Sequence, residues 1–274
     1  NGDRPYQHVV NKYFYYLRSN RLESHRLGQY WAKRVLITKR PFEEKIALFW
    51  HSHFATSDDK VRDYRKMALQ IDLFRRYGVG NFRDLLLRVA QDPAMLVFLD
   101  AGENVKGDPN ENFAREILEL FSLGIGNYTE HDIREAARSF TGWTNNGLNF
   151  FVNHELHDDD NKTFLGQTGN FDGNDIINIL MKQDATAQFI VAKFYRYFVS
   201  TDLPAHHIKG LATSFRNNNY EIQPLLREMF LARDFYAPHA VGTQIKSPIE
   251  LVLTTYRKLG LKTLPGVPDF NETT

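Results

Sequence analysis

Apolar residues recur at spacings of three and four along most of the chain, the period of helices that bury one face. Cut at its polar, Gly- and Pro-containing interruptions, the pattern predicts helices over residues 5–19, 25–38, 42–54, 59–77, 81–90, 92–99, 109–123, 130–142, 174–182, 185–199, 205–217, 221–232 and 248–259. Three starts carry a side-chain oxygen followed three positions later by an acid, a pairing that satisfies free N–H groups of the first turn. They are Asp108-Pro109-Asn110-Glu111, Thr129-Glu130-His131-Asp132 and Ser247-Pro248-Ile249-Glu250. Gly124 and Gly260 follow periodic segments and are expected to close helices in a left-handed conformation.

Between Gly142 and Gly173 the period is lost, and Asn, Gly, Asp and Thr surround short alternating pieces, Leu148 to Val152 and Lys162 to Leu165. This predicts a loop with a small hairpin. The fold class that follows is all-α: one multi-helix globular domain with a small β-hairpin or loop insertion around residues 145–170. A division into 1–143 and 174–274 about that insertion is the alternative.

Composition narrows the partners. Basic and acidic residues number 34 and 33, so no global field attracts nucleic acid, and none is expected as a partner. Arg62, Arg65, Lys66, Arg75 and Arg76 alternate with apolar residues and are expected to form a solvated helix face. The absence of cysteine excludes disulfides, thiolate nucleophiles and cysteine-held metals. No apolar run reaches the roughly 18 residues of a membrane span. The start, NGDRPYQHVV, has neither an initiator Met nor a signal-peptide pattern, and the chain is expected to be processed or cut from a longer one.

The stretch FWHSHFATS places His51 and His53 inside an aromatic run. On a helix, Phe42, Ile46, Phe49, Trp50 and His53 share one stripe while His51 points about 160° away, so the two imidazoles cannot share an ion. Only a helix ending near Trp50 would bring them together. His53 is either a hydrogen-bonded core residue or a metal ligand. In NENFAREILELFSLG, Asn112, Glu116 and Glu119 line the shoulder of an apolar stripe formed by Phe113, Ile117, Leu120 and Phe121. Two carboxylates there can supply oxygen ligands or an acid/base pair. The plainer reading pairs Arg115 with Glu111 and Glu119 on the surface. HDDDNKTFLG fails as a calcium loop, since Lys162 and Gly169 stand where ligands are required. His157 and Asp158 still offer a metal ligand pair, against a turn in which Asp and Asn bond their own backbone.

Other chemistries lack a signal: GxSxG, GxGxxG, HExxH and phosphate-binding Gly-rich loops are absent. His206-His207 reads as exposed, and Phe189, Phe194, Tyr195, Tyr197 and Phe198 as helix core.

Taken in order, LFWHSHFATS, GNFRDLL with QDPAMLVFLD, the block Asn110 to Trp143, HDDDNKTFLG and IKSPIELV resemble the bacterial family known as Domain of Unknown Function 1800. The resemblance covers residues 40–260, and the family pattern extends beyond both ends, so the chain resembles an interior fragment. It implies a mainly helical protein, often exported, hence an extracytoplasmic location, and it implies no reaction. It places His51, His53, Asn110, Glu111, Asn112, Arg115, Glu116, Glu119, His157, Asp158 and Lys162 in signature blocks. One departure is Asp160, which stands where the family usually has Gly; a left-handed turn is expected there, which Asp tolerates.

Two functions remain open. In the first, an exported metal-assisted enzyme of the hydrolase type holds a divalent ion through His53 and His157 or Asp158, joined by His51 only where the helix ends near Trp50, with Glu116, Glu119, Arg115 and Lys162 as catalytic groups around one cavity. In the second, a non-catalytic surface or assembly module uses the same polar blocks as buried networks that hold helices together.

Overall fold

The computed structural model describes residues 7–264, with side chains from Tyr15 onward. Within them the chain is predominantly helical, as the period predicts. The helices are α1 Gln7–Ile37, α2 Pro41–His53, α3 Asp58–Val61, α4 Tyr64–Tyr77, α5 Phe82–Ala90, α6 Pro93–Phe98, α7 Glu111–Glu119 and α8 Glu130–Ser139. Two separate antiparallel hairpins follow, β1 Trp143–Asn146 with β2 Asn149–Val152 and β3 Lys162–Phe164 with β4 Gln167–Gly169. The chain then returns to helices α9 Gly173–Met181, α10 Asp184–Phe198, α11 Ala205–Asn217, α12 Ile222–Leu231 and α13 Pro248–Lys258. The single hairpin expected in the insertion is thus two. The second turns through Leu165 and Gly166, both at positive φ, a two-residue turn whose twist matches its strands.

The main buried cluster contains Trp50, Phe54, Phe74 and Phe113 from before the insertion and Phe194, Phe215 and Leu225 from after it. Trp50 is fully buried, and its indole N–H donates to the Gly78 carbonyl at 2.7 Å. A Cβ at Gly78 would lie 2.3 Å from the Phe74 oxygen and 2.9 Å from the Trp50 ring, so only glycine lets α4 end against that indole.

Local chemistry explains most helix ends. Thr129 with Asp132 and Ser247 with Glu250 form the reciprocal caps expected of them. Gly124 and Gly260 take the expected left-handed backbone. The third expected cap is displaced: Asn110, not Asp108, accepts the first-turn N–H, because Asp108 is held in a bridge to Val105. Two expected helices, 5–19 and 25–38, are one, since Asn20 lacks the backbone bias of Gly or Pro and its side chain is used elsewhere, accepting from the Tyr64 N–H at 2.7 Å. Conversely, the expected 59–77 helix breaks at Arg62, which sits at φ 52°, and restarts at Asp63, whose carboxylate accepts from the Arg65 N–H.

The expected solvated basic face holds for Arg62, Arg65 and Arg76, which are exposed, and is corrected at two positions. Arg75 is buried, its Nε donating to Glu44 at 3.0 Å, and Lys66 is buried as well. Glu44 is wholly enclosed and also accepts from the Trp31 indole at 2.9 Å and from Arg34. A buried carboxylate requires such a set of donors. This node ties α1, α2 and α4 together.

Candidate functional site

The helical run through His53 places the two imidazoles of α2 on different faces, as the 100° rotation requires. His51 packs against the rings of Trp31 and Phe74, and burial lowers its pKa. His53 lies among Phe49, Trp50, Phe54, Phe121 and Phe189. Its Nε2 donates to the Phe121 carbonyl at 3.2 Å, which fixes the proton on that nitrogen, because a carbonyl only accepts. The buried Nδ1 has no hydrogen-bond partner. Enclosure by rings brings the pKa of His53 down to about 3, with the Lys193 charge adding to the effect.

On α7, Arg115 turns away from the acidic shoulder. It donates to Glu111 at 3.0 Å and to both oxygens of Glu130 at 3.0 and 2.8 Å, the latter in place of the expected Glu119. Glu119 instead accepts from the Tyr128 hydroxyl at 2.7 Å. Burial and the nearby Glu119 raise the Glu116 carboxyl. The helix ends here in a wider turn, with the Phe121 N–H bonded to the Glu116 carbonyl five residues back, and the Phe121 carbonyl meets His53.

The HDDDNKTFLG block is bound to α8. Arg138 grips Asp158 at two points, Nε to Oδ2 at 2.7 Å and Nη2 to Oδ1 at 3.3 Å, and pairs with Glu135 at 2.9 Å. Glu135 and Asp132, three apart on the helix, accept the N–H groups of Thr163 in β3 and Leu165 in the turn after it at 2.7 and 2.8 Å. Lys162 is 1% exposed, and its ammonium donates to the Asp158 carbonyl and to Asn170 at 3.1 Å. Burial lowers its pKa, against the pull of Asp158. His157 Nδ1 donates to the Thr141 carbonyl at 2.8 Å, and the Asp158 N–H bonds the Thr141 hydroxyl. Asp160 donates its N–H to Asp158 at 2.9 Å and does not adopt positive φ, so the expected left-handed turn is not used and a side chain there meets no strain.

Two further residues of this frame escaped sequence reasoning. Asn104 is buried and joins the Ala137 carbonyl, the Asn110 N–H and the Gly142 N–H at 2.8, 3.0 and 3.0 Å. Gly142, at φ 76°, lies where a Cβ would meet the Asn153 oxygen at 2.4 Å. No periodicity marks a lone Asn as a junction between α8 and the segments at Asn110 and Gly142.

The expected convergence around one ion is not found. His53 is bonded to Phe121, His51 is packed on Trp31, and His157 with Asp158 is consumed by Thr141 and Arg138. Among the described residues no group of three His, Asp or Glu side chains is placed to hold a metal ion. The physical reason is that each block finds its partner on the element packed beside it.

The family described as "Protein of unknown function (DUF1800)" matches residues 10–273, nearly the whole chain. The chain belongs to that family. No curated protein and no solved structure gives a match. Among the described residues no helix is long and apolar enough to cross a membrane.

A second group of ionisable residues lies outside the blocks that carry the DUF1800 resemblance. Asp234, in the 3₁₀ turn Arg233–Tyr236, accepts from the Tyr195 hydroxyl and faces His239 Nε2 at 2.9 Å and His207 Nδ1 at 3.6 Å. Burial pushes its carboxyl up, but the Tyr195 bond and the two imidazoles outweigh it and hold the group below the usual range. His206 is exposed as expected, whereas His207 is half-buried. Tyr195 and His207 lie 39 and 27 residues from Asp234 in sequence, too far apart for any local pattern to reveal, whereas His239 is five residues away.

Proposed function

We propose that this DUF1800 chain is a non-catalytic structural or assembly module, and that its polar signature blocks serve as clasps between helices and the hairpin insertion. The observation that carries the reading is the Arg138–Asp158 pair. Its donors and acceptors are taken up by Glu135, Asn161 and the Asp160 N–H, all within the chain. Charged groups so engaged hold a segment in place. Arg115, held by Glu111 and Glu130, is similarly spoken for. The metal-assisted hydrolase reading needs His53, the α7 carboxylates and the His157 turn around one cavity, and the contacts favour the clasp. An extracytoplasmic setting, implied by family resemblance, forms part of the proposal and is checked by fractionating the native host.

The test compares metal content with stability in His53→Ala and Asp158→Asn after gentle purification of the native protein. On the proposed reading both lower the melting temperature and neither changes metal content. A stoichiometric divalent ion that leaves in His53→Ala while the melting temperature holds would overturn it.

A further inference from the structure

Helices α10, α11 and α12 and the turn at Arg233–Tyr236 enclose a cleft of about 630 Å³, within the size range of small-molecule sites. Its walls are apolar, with Val199, Leu211, Met229 and Phe235 among them. Asp234, Tyr195, His206, His207, Glu228 and Arg233 supply its polar lining, and Asp234 is in contact with Tyr195 and His207.

We propose that this cleft binds a small organic cation, an ammonium carried on a short apolar body. Charge sets the sign of the head group. Two carboxylates, Asp234 and Glu228, line the cleft against one guanidinium, Arg233; Glu228 and Arg233 are both exposed, whereas Asp234 is half-buried and leaves the cleft a negative centre. Hydrogen-bond capacity sets its kind. Asp234 and Glu228 only accept, and Glu228 already takes one bond from the Ser214 hydroxyl at 2.6 Å. With His207 Nδ1 turned toward Asp234, Nε2 is the ring nitrogen left to accept from a ligand. An ammonium offers three donors to such a group of acceptors, where a carboxylate would offer none. His239 is not part of the lining and meets Asp234 from outside at 2.9 Å, so it positions the carboxylate. The apolar wall sets the body, since burying alkyl surface contributes about 0.8 kcal/mol per methylene. The site is independent of the clasp on α8 and stands whether or not that reading does.

The experiment is calorimetric titration of the whole chain with hexylammonium, hexanoate and 1-hexanol at one salt concentration. Hexylammonium is expected to bind saturably and at least about tenfold more tightly than the other two, the factor a single charge-assisted contact supplies. Asp234→Asn should weaken the amine about tenfold, and Leu211→Trp, which fills the cleft, should abolish binding while the chain still melts cooperatively. Equal binding of the three compounds, no saturable binding of hexylammonium, or amine binding unchanged in Leu211→Trp would each overturn the proposal. Because the three-ligand comparison uses the unaltered protein, it decides the matter even if Asp234→Asn fails to fold.

Discussion

Arg138 and Asp158 meet through two parallel contacts of 2.7 and 3.3 Å, fastening the loop after the first hairpin to α8. Asp158→Asn keeps the shape and removes the charge, leaving a partly enclosed guanidinium with Glu135 as its remaining counter-ion. A loss of about 1–3 kcal/mol is expected by urea unfolding, less than for a fully buried pair because Arg138 is partly exposed. A double variant with Arg138→Met should lose less than the sum of the two single changes, which measures the coupling directly.

Asp92 caps α6 from a buried position, accepting from the Met95 N–H at 3.0 Å and from Gln70 at 2.7 Å. Burial pushes its carboxyl up to about 6. The folded state therefore holds the proton more tightly than the unfolded chain, whose carboxyl titrates near 3.9. Stability from this group is present below about pH 4 and lost as pH rises through 6, roughly 3 kcal/mol at most. Asp92→Asn should erase that slope in unfolding experiments between pH 4 and 7; an identical slope in the variant would refute the assignment.

His53 has the opposite sign. Its folded pKa lies near 3 against about 6.5 for a free imidazole, so the unfolded chain takes up the proton first. Its contribution is present above pH 6.5 and lost as pH falls toward 3. His53→Phe, which fills the same aromatic surroundings, should flatten the acid side of the stability profile and leave the alkaline side unchanged.

Gly78→Ala tests the contact between α4 and the Trp50 indole. The added methyl has no space beside the Phe74 carbonyl, and relief requires moving either the helix end or the indole. A cost of about 1–3 kcal/mol is expected, with a matching drop in the melting temperature. Gly28→Ala, where nothing lies within 4 Å of the added carbon, serves as the control and should be neutral or slightly stabilising.

The sequence made the helices legible because burial of one face imposes its period on the residues. It made Thr129 and Ser247 legible because a cap acts over three residues. It could not show the break at Arg62, since arginine carries no bias toward positive φ, nor the continuity of α1 through Asn20, which is decided by a bond to Tyr64. The divergence of His51 and His53 followed from helical geometry alone, yet the partner of His53 is a backbone carbonyl 68 residues away. Carbonyls leave no mark in a sequence. The same holds for Asp132 and Glu135, which reach hairpin N–H groups that any residue would supply.

The enclosed Glu44 has a consequence for how the first third of the chain acquires order. Its carboxylate is satisfied in full only when Trp31, Arg34 and Arg75 are all in place, so a partly docked α1 would remove two of its three donors and leave Arg75 alone to hold it. Assembly of α1, α2 and α4 should therefore be all-or-none. Exchange of their amide protons should report a single opening event, with no sequential peeling of α1 from its neighbours.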